Sequence, residues 1–416
     1  LLTDAGISPE TLMDWMREDL EVPASFSQAE ARMVLGIQYE LSVRKVVSTT
    51  DYVMAEDIST GFISLLADGQ YSGAKVTASS VREYATTYAA QILGRVTPIY
   101  ASDPEYQDGT LMEQGYDLDD KIGRSGVEKA FEKYLRGTDG TRVVSTNSNG
   151  KITGEFYSEQ PEPGSTVELT IDLDLQQAVE ENLAATVARM DAEDGDDTRG
   201  AGCAIVKVGT GEILALASYP TFDPSTYGTN YAEISNNPAR PEVNRATQGT
   251  YAPGSTFKMC TLIAAMEHRS TNPKSEFFGR YLYLPGEIIR DQGVFTKYPG
   301  FSPTCLIWTS NPGVTHGELT AQRALEVSCN YFFYELGSRM TIEMLNETAN
   351  GLGLGVPTGI ELTEKVGWVT DEASKKAAYG ETGVNSQITA GDRVLAAIGQ
   401  AENRFSPLQL CVYAST

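Results

Sequence analysis

Cationic residues are scarce in this sequence. Thirty-two lysines and arginines stand against fifty-six aspartates and glutamates, a net charge of −24 over 416 residues. So acidic a surface repels phosphate backbones and disfavours adsorption to anionic lipid, so nucleic acid is not expected as a partner. Histidine is scarcer still. His268 and His316 are the only two, which argues against a histidine-based triad and against a multi-histidine metal site. The five cysteines, Cys203, Cys260, Cys305, Cys329 and Cys411, include no Cys-x-x-Cys pair. Cys203, Cys260 and Cys411 lie in apolar surroundings and read as buried thiols, from which no redox compartment follows. Long apolar runs are absent too: stretches such as Leu262–Met266 and Val394–Ile398 fall far short of a membrane span. The chain opens Leu1-Leu2-Thr3 without a signal peptide, as a mature or excised fragment would.

What is present describes a globular protein. Hydrophobic residues make up 41%, aromatics 9% and charged residues 21%, which excludes a disordered, collagen-like or disulfide-scaffold chain. The length suggests about two or three domains. Ser8 before Pro9 predicts a helix start, and Ser27-Gln28-Ala29-Glu30 spells a capping box opening another. Residues 137–168 are rich in Gly, Pro, Ser, Thr and Asn and predict hairpins and a boundary. Thr166–Asp172 alternates like a strand, followed by an amphipathic helix through Leu175, Ala178, Val179 and Leu183. The acidic run Asp191–Asp197 misses the carboxylate and glycine positions of a calcium loop and reads as a solvated loop. Ala201–Val208 and Glu212–Tyr219, joined by Gly209-Thr210-Gly211, predict a β-hairpin at the centre of a sheet. Met259–Glu267 and Leu319–Met340 read as helical.

One segment carries chemistry. In Tyr251-Ala252-Pro253-Gly254-Ser255-Thr256-Phe257-Lys258, proline and glycine end a loop just before an apolar helix. Ser255 therefore falls in the first helical turn, where free N–H groups and the macrodipole favour negative charge. Lys258, three residues on, shares its face. A desolvated lysine near positive charge has a depressed pKa and can serve as the base for Ser255. Spacing alone is weak, since Ser42/Lys45, Ser72/Lys75 and Ser148/Lys151 match it equally. Only Ser255 has the Pro-Gly boundary and the apolar helix.

The stretch Asn244–Lys258 closely resembles the active-serine segment of high-molecular-weight class B penicillin-binding proteins, peptidoglycan D,D-transpeptidases. Gly211–Pro220 with Phe222-Asp223-Pro224, Thr170–Gln176, Gly123–Lys129 with Tyr134–Gly137, and Ala397–Gln400 with Ser406–Gln409 are similar to further family segments. The resemblance covers most of the chain from about Ala89. It implies an α/β transpeptidase fold, an antiparallel sheet flanked by helices plus an all-α subdomain, on an elongated α+β pedestal. The expected division is 1–160 for the pedestal and 161–416 for the transpeptidase domain. Of four Ser-x-Asn spellings, Ser145/Asn147, Ser235/Asn237 and Ser270/Asn272 sit in turn-rich stretches. Ser328-Cys329-Asn330 has the family context, which implies that Ser328 relays a proton and Asn330 holds the donor peptide's amide. Glu381-Thr382-Gly383 carries Glu where the family's third motif needs Lys, and it precedes Ile398-Gly399-Gln400 where that motif follows. The third motif is expected beyond Thr416, which would leave the transpeptidase domain C-terminally incomplete here.

By resemblance the reaction is acyl transfer through Ser255 from D-Ala-D-Ala stem peptides, with β-lactams trapping the same serine. No cofactor is implied. An extracytoplasmic location, a single N-terminal membrane anchor upstream of Leu1 and a membrane glycosyltransferase partner are expected. An elongation-type member fits slightly better than a division-type one. Two rivals stay open: a serine β-lactamase or lactam sensor of the same fold, and a vestigial structural subunit of a wall-synthesis complex. Some elongation-type relatives carry zinc near the active site. Here Cys305 and His316 lack a convincing third ligand, so no metal is assigned and His316 is expected to be a hydrogen-bonded structural residue. His268, ending the Ser255 helix, is expected to favour its negative pole.

Overall fold

The computed structural model describes the chain except residues 1–7, 44–53, 56, 57, 70–75, 77–81, 119, 139, 147–151, 195–199 and 383–385. It divides into two compact units, Leu1–Glu83 with Thr97–Ile122, and Tyr84–Val96 with Gly123–Thr416.

In the first unit the sequence signals start helices where expected. Ser8 accepts the Thr11 N–H at 3.2 Å at the head of Pro9–Asp19. Before Gln28–Val43, Ser27 and Glu30 exchange bonds at 2.8 and 3.3 Å as a capping box. Ala31 and Leu35, one turn apart, bury against Met13, Met16 and Leu20 of the preceding helix. A second small core gathers Ile99, Leu111 and Tyr116.

In the second unit, after the short helices Ala90–Leu93, Gly126–Ala130 and Glu132–Leu135, Thr141–Thr146 pairs with Ile152–Glu159 in an antiparallel hairpin. The expected strand at Thr166–Asp172 does not form. That segment is extended, with Thr170 donating its hydroxyl to the Ile213 carbonyl and Asp172 its N–H to Leu214. Asp172 caps the helix Leu173–Asp194 by accepting the Leu175 N–H at 3.0 Å. Of the apolar face expected, Leu175, Val179 and Leu183 are half-buried and Ala178 is exposed, while Gln176, Glu180 and Val187 are buried beside them. The Gln176 side-chain amide pairs with the Leu216 backbone in both directions at 2.8 Å, as a neighbouring strand's peptide would. A buried side-chain amide that satisfies backbone groups is invisible to hydrophobic periodicity. The same helix runs through Asp191–Asp194, correcting the loop expected there; Gly195–Asp197 lie outside the described residues.

The central hairpin pairs Ala201–Val206 with Ile213–Tyr219, slightly shorter than expected, and among the described residues it is two-stranded. The Leu173–Asp194 helix packs on its second strand and Pro407–Ser415 on its first. The larger core is helical. Lys258–Glu267 lies against Asn330–Arg339 and Ile342–Gly351, and Asn330–Arg339 against Ala390–Ala396. Phe257, Phe332, Phe333, Leu336 and Phe405 are fully buried there. The single helix expected over Leu319–Met340 is two, Ala321–Glu326 and Asn330–Arg339.

Candidate active site

The break between those two helices is where the site forms. Ser328 has φ +51°, the left-handed region a non-glycine residue seldom enters. The chain therefore turns sharply between Val327 and Asn330, aiming the Ser328 carbonyl inward beside its own hydroxyl. Such a conformation persists only where its surroundings enforce it, and it clusters at functional sites. Here it ends the helix Ala321–Glu326, with the Ser328 N–H bonded to Leu325 at 3.1 Å and the Cys329 N–H to Ala324 at 2.9 Å, and the carbonyl so turned accepts from Lys258.

Lys258 is 1% exposed. Its Nζ donates to the Ser328 carbonyl at 2.8 Å, to Ser328 Oγ at 2.9 Å and to Asn330 Oδ1 at 2.6 Å, and lies 5.6 Å from the Phe333 ring centroid. All three N–H groups are satisfied, which is what makes a buried ammonium tolerable. Burial nonetheless lowers its pKa to about 8, against a smaller opposite pull from the thiols of Cys329 and Cys305. The depression expected from sequence is present, and of the two causes expected desolvation supplies it, with no cation contributing. Asn330 turns its oxygen to the lysine, and its amide also bonds the Tyr334 phenol.

Ser255 lies in the 3₁₀ turn Gly254–Phe257 that leads into Lys258–Glu267, and it is exposed. The turn is clamped from outside. Gly254 donates its N–H to Gly399 at 2.9 Å, and Tyr251 and Phe405 exchange backbone bonds at 2.9 Å. Gly399, at φ +74°, is required: a Cβ there would stand 2.1 Å from the Gly254 carbonyl oxygen. The structure brings Lys258, Ser328 and Asn330 into direct contact and places Ser255 one turn before the lysine. Among the described residues no hydrogen bond joins Ser255 to Lys258. Of the other Ser-x-x-Lys spellings, Lys45, Ser72, Lys75, Ser148 and Lys151 lie outside the described residues, as do Asn147 and Gly383. Asn237 and Asn272 do turn chemistry, accepting the N–H two residues on at 2.9 Å.

Cys329, between Ser328 and Asn330, faces a second polar group. Its Sγ lies 3.8 Å from Cys305 Sγ, which lies 3.6 Å from His316 Nδ1, itself 2.9 Å from Asp291 Oδ2. Cys305 and His316 thus gain the partners that the sequence did not offer, and the four ligand atoms lie within 4.8 Å of one another. This corrects the expectation of no metal-ligand set. Two thiolates at about 2.3 Å from tetrahedral zinc stand about 3.8 Å apart, and a thiolate and an imidazole about 3.5 Å apart. The sulfur–sulfur and sulfur–nitrogen separations fit that geometry. Four protein donors describe a closed structural site, so the chemistry a zinc ion would supply is fixation of the loops, not substrate activation. Burial opposes ionisation of Asp291, but N–H donors from His316 and Gly293 and the imidazole hold its carboxyl below the usual range. Hydrogen bonding from Cys329 holds the Cys305 thiol low, and the same contact pushes Cys329 up. His316 is hydrogen-bonded, as expected; His268 bonds Thr348 Oγ1 at 3.1 Å.

Comparison with known proteins follows these contours. The penicillin binding protein transpeptidase domain family matches residues 201–408, and the penicillin-binding protein dimerisation domain family residues 8–169. The peptidoglycan D,D-transpeptidase MrdA of Salmonella typhimurium is 28% identical over 358 residues, 84% of this chain and 52% of that protein. A chain from a study of polymerization and crosslinking by a peptidoglycan synthase complex superposes with TM-score 0.67 at 26% identity, covering 92% of this chain and 63% of that one. A chain from the complex between PBP2 and MreC of Helicobacter pylori gives 0.69 at 19% identity, covering 94% and 71%, and shares the fold. The chain spans about half the length of the curated relatives it matches.

Proposed function

The chain belongs to the penicillin-binding protein transpeptidase family, and from that premise we propose that it is a serine D,D-transpeptidase crosslinking peptidoglycan stem peptides. The observation that carries this reading is Lys258: buried, titrating near 8, held by Ser328 and Asn330, and one turn from an exposed serine. In its charged form all three N–H groups are engaged and no lone pair is free. Loss of one proton, accessible near neutral pH, creates the base.

Neutral Lys258 takes the Ser255 proton as Oγ attacks the carbonyl carbon of the penultimate D-Ala. The oxyanion develops beside the N–H groups of the first turn. Collapse breaks the peptide C–N bond, and the proton returns from Lys258 through Ser328 Oγ to the departing amine of the terminal D-Ala. The amine of a second stem peptide then attacks the ester, loses its proton by the reverse route and frees Ser255. Asn330 Nδ2 donates to the donor peptide's backbone. β-Lactams acylate Ser255 in the same way. We place the reaction outside the cytoplasmic membrane, where stem peptides are. Among the described residues no helix is long and apolar enough to cross a membrane. The reading assigns 1–160 to a pedestal and 161–416 to the transpeptidase domain. The similarity to a chain from a peptidoglycan synthase complex that coordinates polymerization and crosslinking supports a glycosyltransferase as partner.

The test is a fluorescent penicillin with mass spectrometry. The complete protein, carrying the third motif expected beyond Thr416, should take one label on the Ser255 peptide and keep it for many turnovers' worth of time. Ser255→Ala should take none and melt within about 1–2 °C of the parent, since the side chain is exposed. A labelled alanine variant overturns the assignment of the nucleophile, and rapid release of the label marks a β-lactamase instead.

A further inference from the structure

The turn that carries Ser255 has a foreign hydroxyl in its backbone. Tyr413, buried on the helix Pro407–Ser415, accepts the Cys260 N–H at 2.9 Å and donates to the Thr256 carbonyl at 3.2 Å. Those two backbone groups are four residues apart and would bond each other in a continuous α-helix. The α-helix begins only at Lys258, and the turn before it is 3₁₀. A side chain inserted into the i→i−4 ladder is an established cause of such a local change in winding.

The winding decides how Ser255 stands to Lys258. Residues three apart eclipse at 3.0 residues per turn but are offset by about 60° at 3.6. Ser255 and Lys258 are three apart, so the 3₁₀ form stacks the nucleophile over the base and the α form swings it aside.

We propose that Tyr413 is a positioning residue for acyl transfer, its hydroxyl wedged between Cys260 and Thr256 to hold the Ser255 turn in 3₁₀ form. The hydroxyl suits this role because burial pushes its pKa up to about 12, so the proton donated to Thr256 is retained throughout the working range. The stacked rings of Phe257 and Phe405, 6.0 Å apart, and the Thr261 hydroxyl bonded to Ala397 at 2.8 Å fasten the same junction. None of these supplies what the wedge supplies, a partner for both open ladder groups.

The inference rests on the acyl-transfer reading, and its test separates the two. Tyr413→Phe deletes only the hydroxyl, and the freed Cys260 N–H and Thr256 carbonyl can bond each other, so no buried orphan results. Rapid-quench labelling with penicillin yields the noncovalent Kd and the first-order acylation constant separately. The acylation constant should fall by about tenfold or more, with Kd within about twofold and the melting temperature not lowered. Gly399→Ala, which pushes on Gly254 from the other side, should also lower the acylation constant while sparing Kd, and it decides the matter should the phenylalanine variant fail to fold. Variants that melt lower yet acylate at the parental rate when folded overturn the inference and leave the nucleophile standing. A parent that takes no label at all overturns the acyl-transfer reading and this inference with it.

Discussion

Ser328, Cys329 and Asn330 are consecutive, yet they serve two polar clusters of opposite construction. Ser328 and Asn330 face a buried ammonium whose three N–H groups are all accepted. Cys329 faces an acid, an imidazole and a second thiol, gathered around no cation of the chain's own. The first cluster draws on two segments, 255–258 and 328–330. The second draws on four, around residues 291, 305, 316 and 329. A cluster that contains its own charge is electrostatically complete once folded, and its sequence is compact enough to read. One that converges on an external cation needs only scattered donors, each commonplace where it stands.

The largest effect that can sharpen this contrast is at Lys258. Lys258→Arg keeps the positive charge, so a purely electrostatic role would survive it. A guanidinium with a pKa above about 12 cannot deprotonate at working pH, and loss of a positioned base typically costs about 10²–10⁴ in rate. Penicillin acylation of the arginine variant should fall by that much. A rate within tenfold of the parent would mean that the lysine is a contact rather than the base.

A smaller effect is the pH dependence. Burial lowers Lys258 from 10.5 to about 8, so the neutral, basic fraction shrinks about tenfold per pH unit well below that value. Acylation should rise from pH 6 to about 8 and level off above. The sign for stability follows from the same shift. Between about 8 and 10.5 the unfolded lysine still holds a proton that the folded one has released, so this group's contribution to stability increases with pH across that window. A flat acylation profile from pH 6 to 9 would break the assignment.

Much of the fold was legible because its signals are local. Ser8, the Ser27–Glu30 box, the Gly209-Thr210-Gly211 hairpin and the Pro-Gly boundary before Ser255 each act within a few residues. Lys258 was read from its spacing to Ser255 at the helix start, whereas Ser328 and Asn330 were reached through family resemblance, since nothing in the spacing joins 258 to 330. What escaped depends on partners far along the chain. Gln176 and Glu180 occupy a buried stripe because a strand 40 residues away offers the Leu216 backbone to the glutamine amide. Asp291 is an ordinary loop acid until His316 folds onto it. Tyr413 reads as one more aromatic of a terminal helix, and only the folded chain shows which backbone gap its hydroxyl fills. The helix break at Ser328 left no composition signal, because a serine occupies the left-handed cap position where glycine would have announced it.

The smallest effect concerns the second cluster, and it is expected in stability rather than in rate. Titrating the metal-free protein with Zn²⁺ should raise its melting temperature, since a ligand bound only by the folded state at about 100 times its Kd contributes about 2.7 kcal/mol, several degrees for a unit of this size. Cys329→Ser should abolish most of that rise, because it removes a thiolate from a site with four donors and no spare. The same substitution leaves the Ser328 and Asn330 side chains in place, so penicillin acylation should change by only about threefold or less, far below the loss at Lys258. Should Cys329→Ser instead cost as much rate as Lys258→Arg, the two faces of the Ser328–Asn330 turn would be one cluster, with the donor set reaching into the chemistry. A melting temperature indifferent to Zn²⁺ would show that acid, imidazole and thiols are held together by hydrogen bonds alone, and that the match to tetrahedral separations is coincidental.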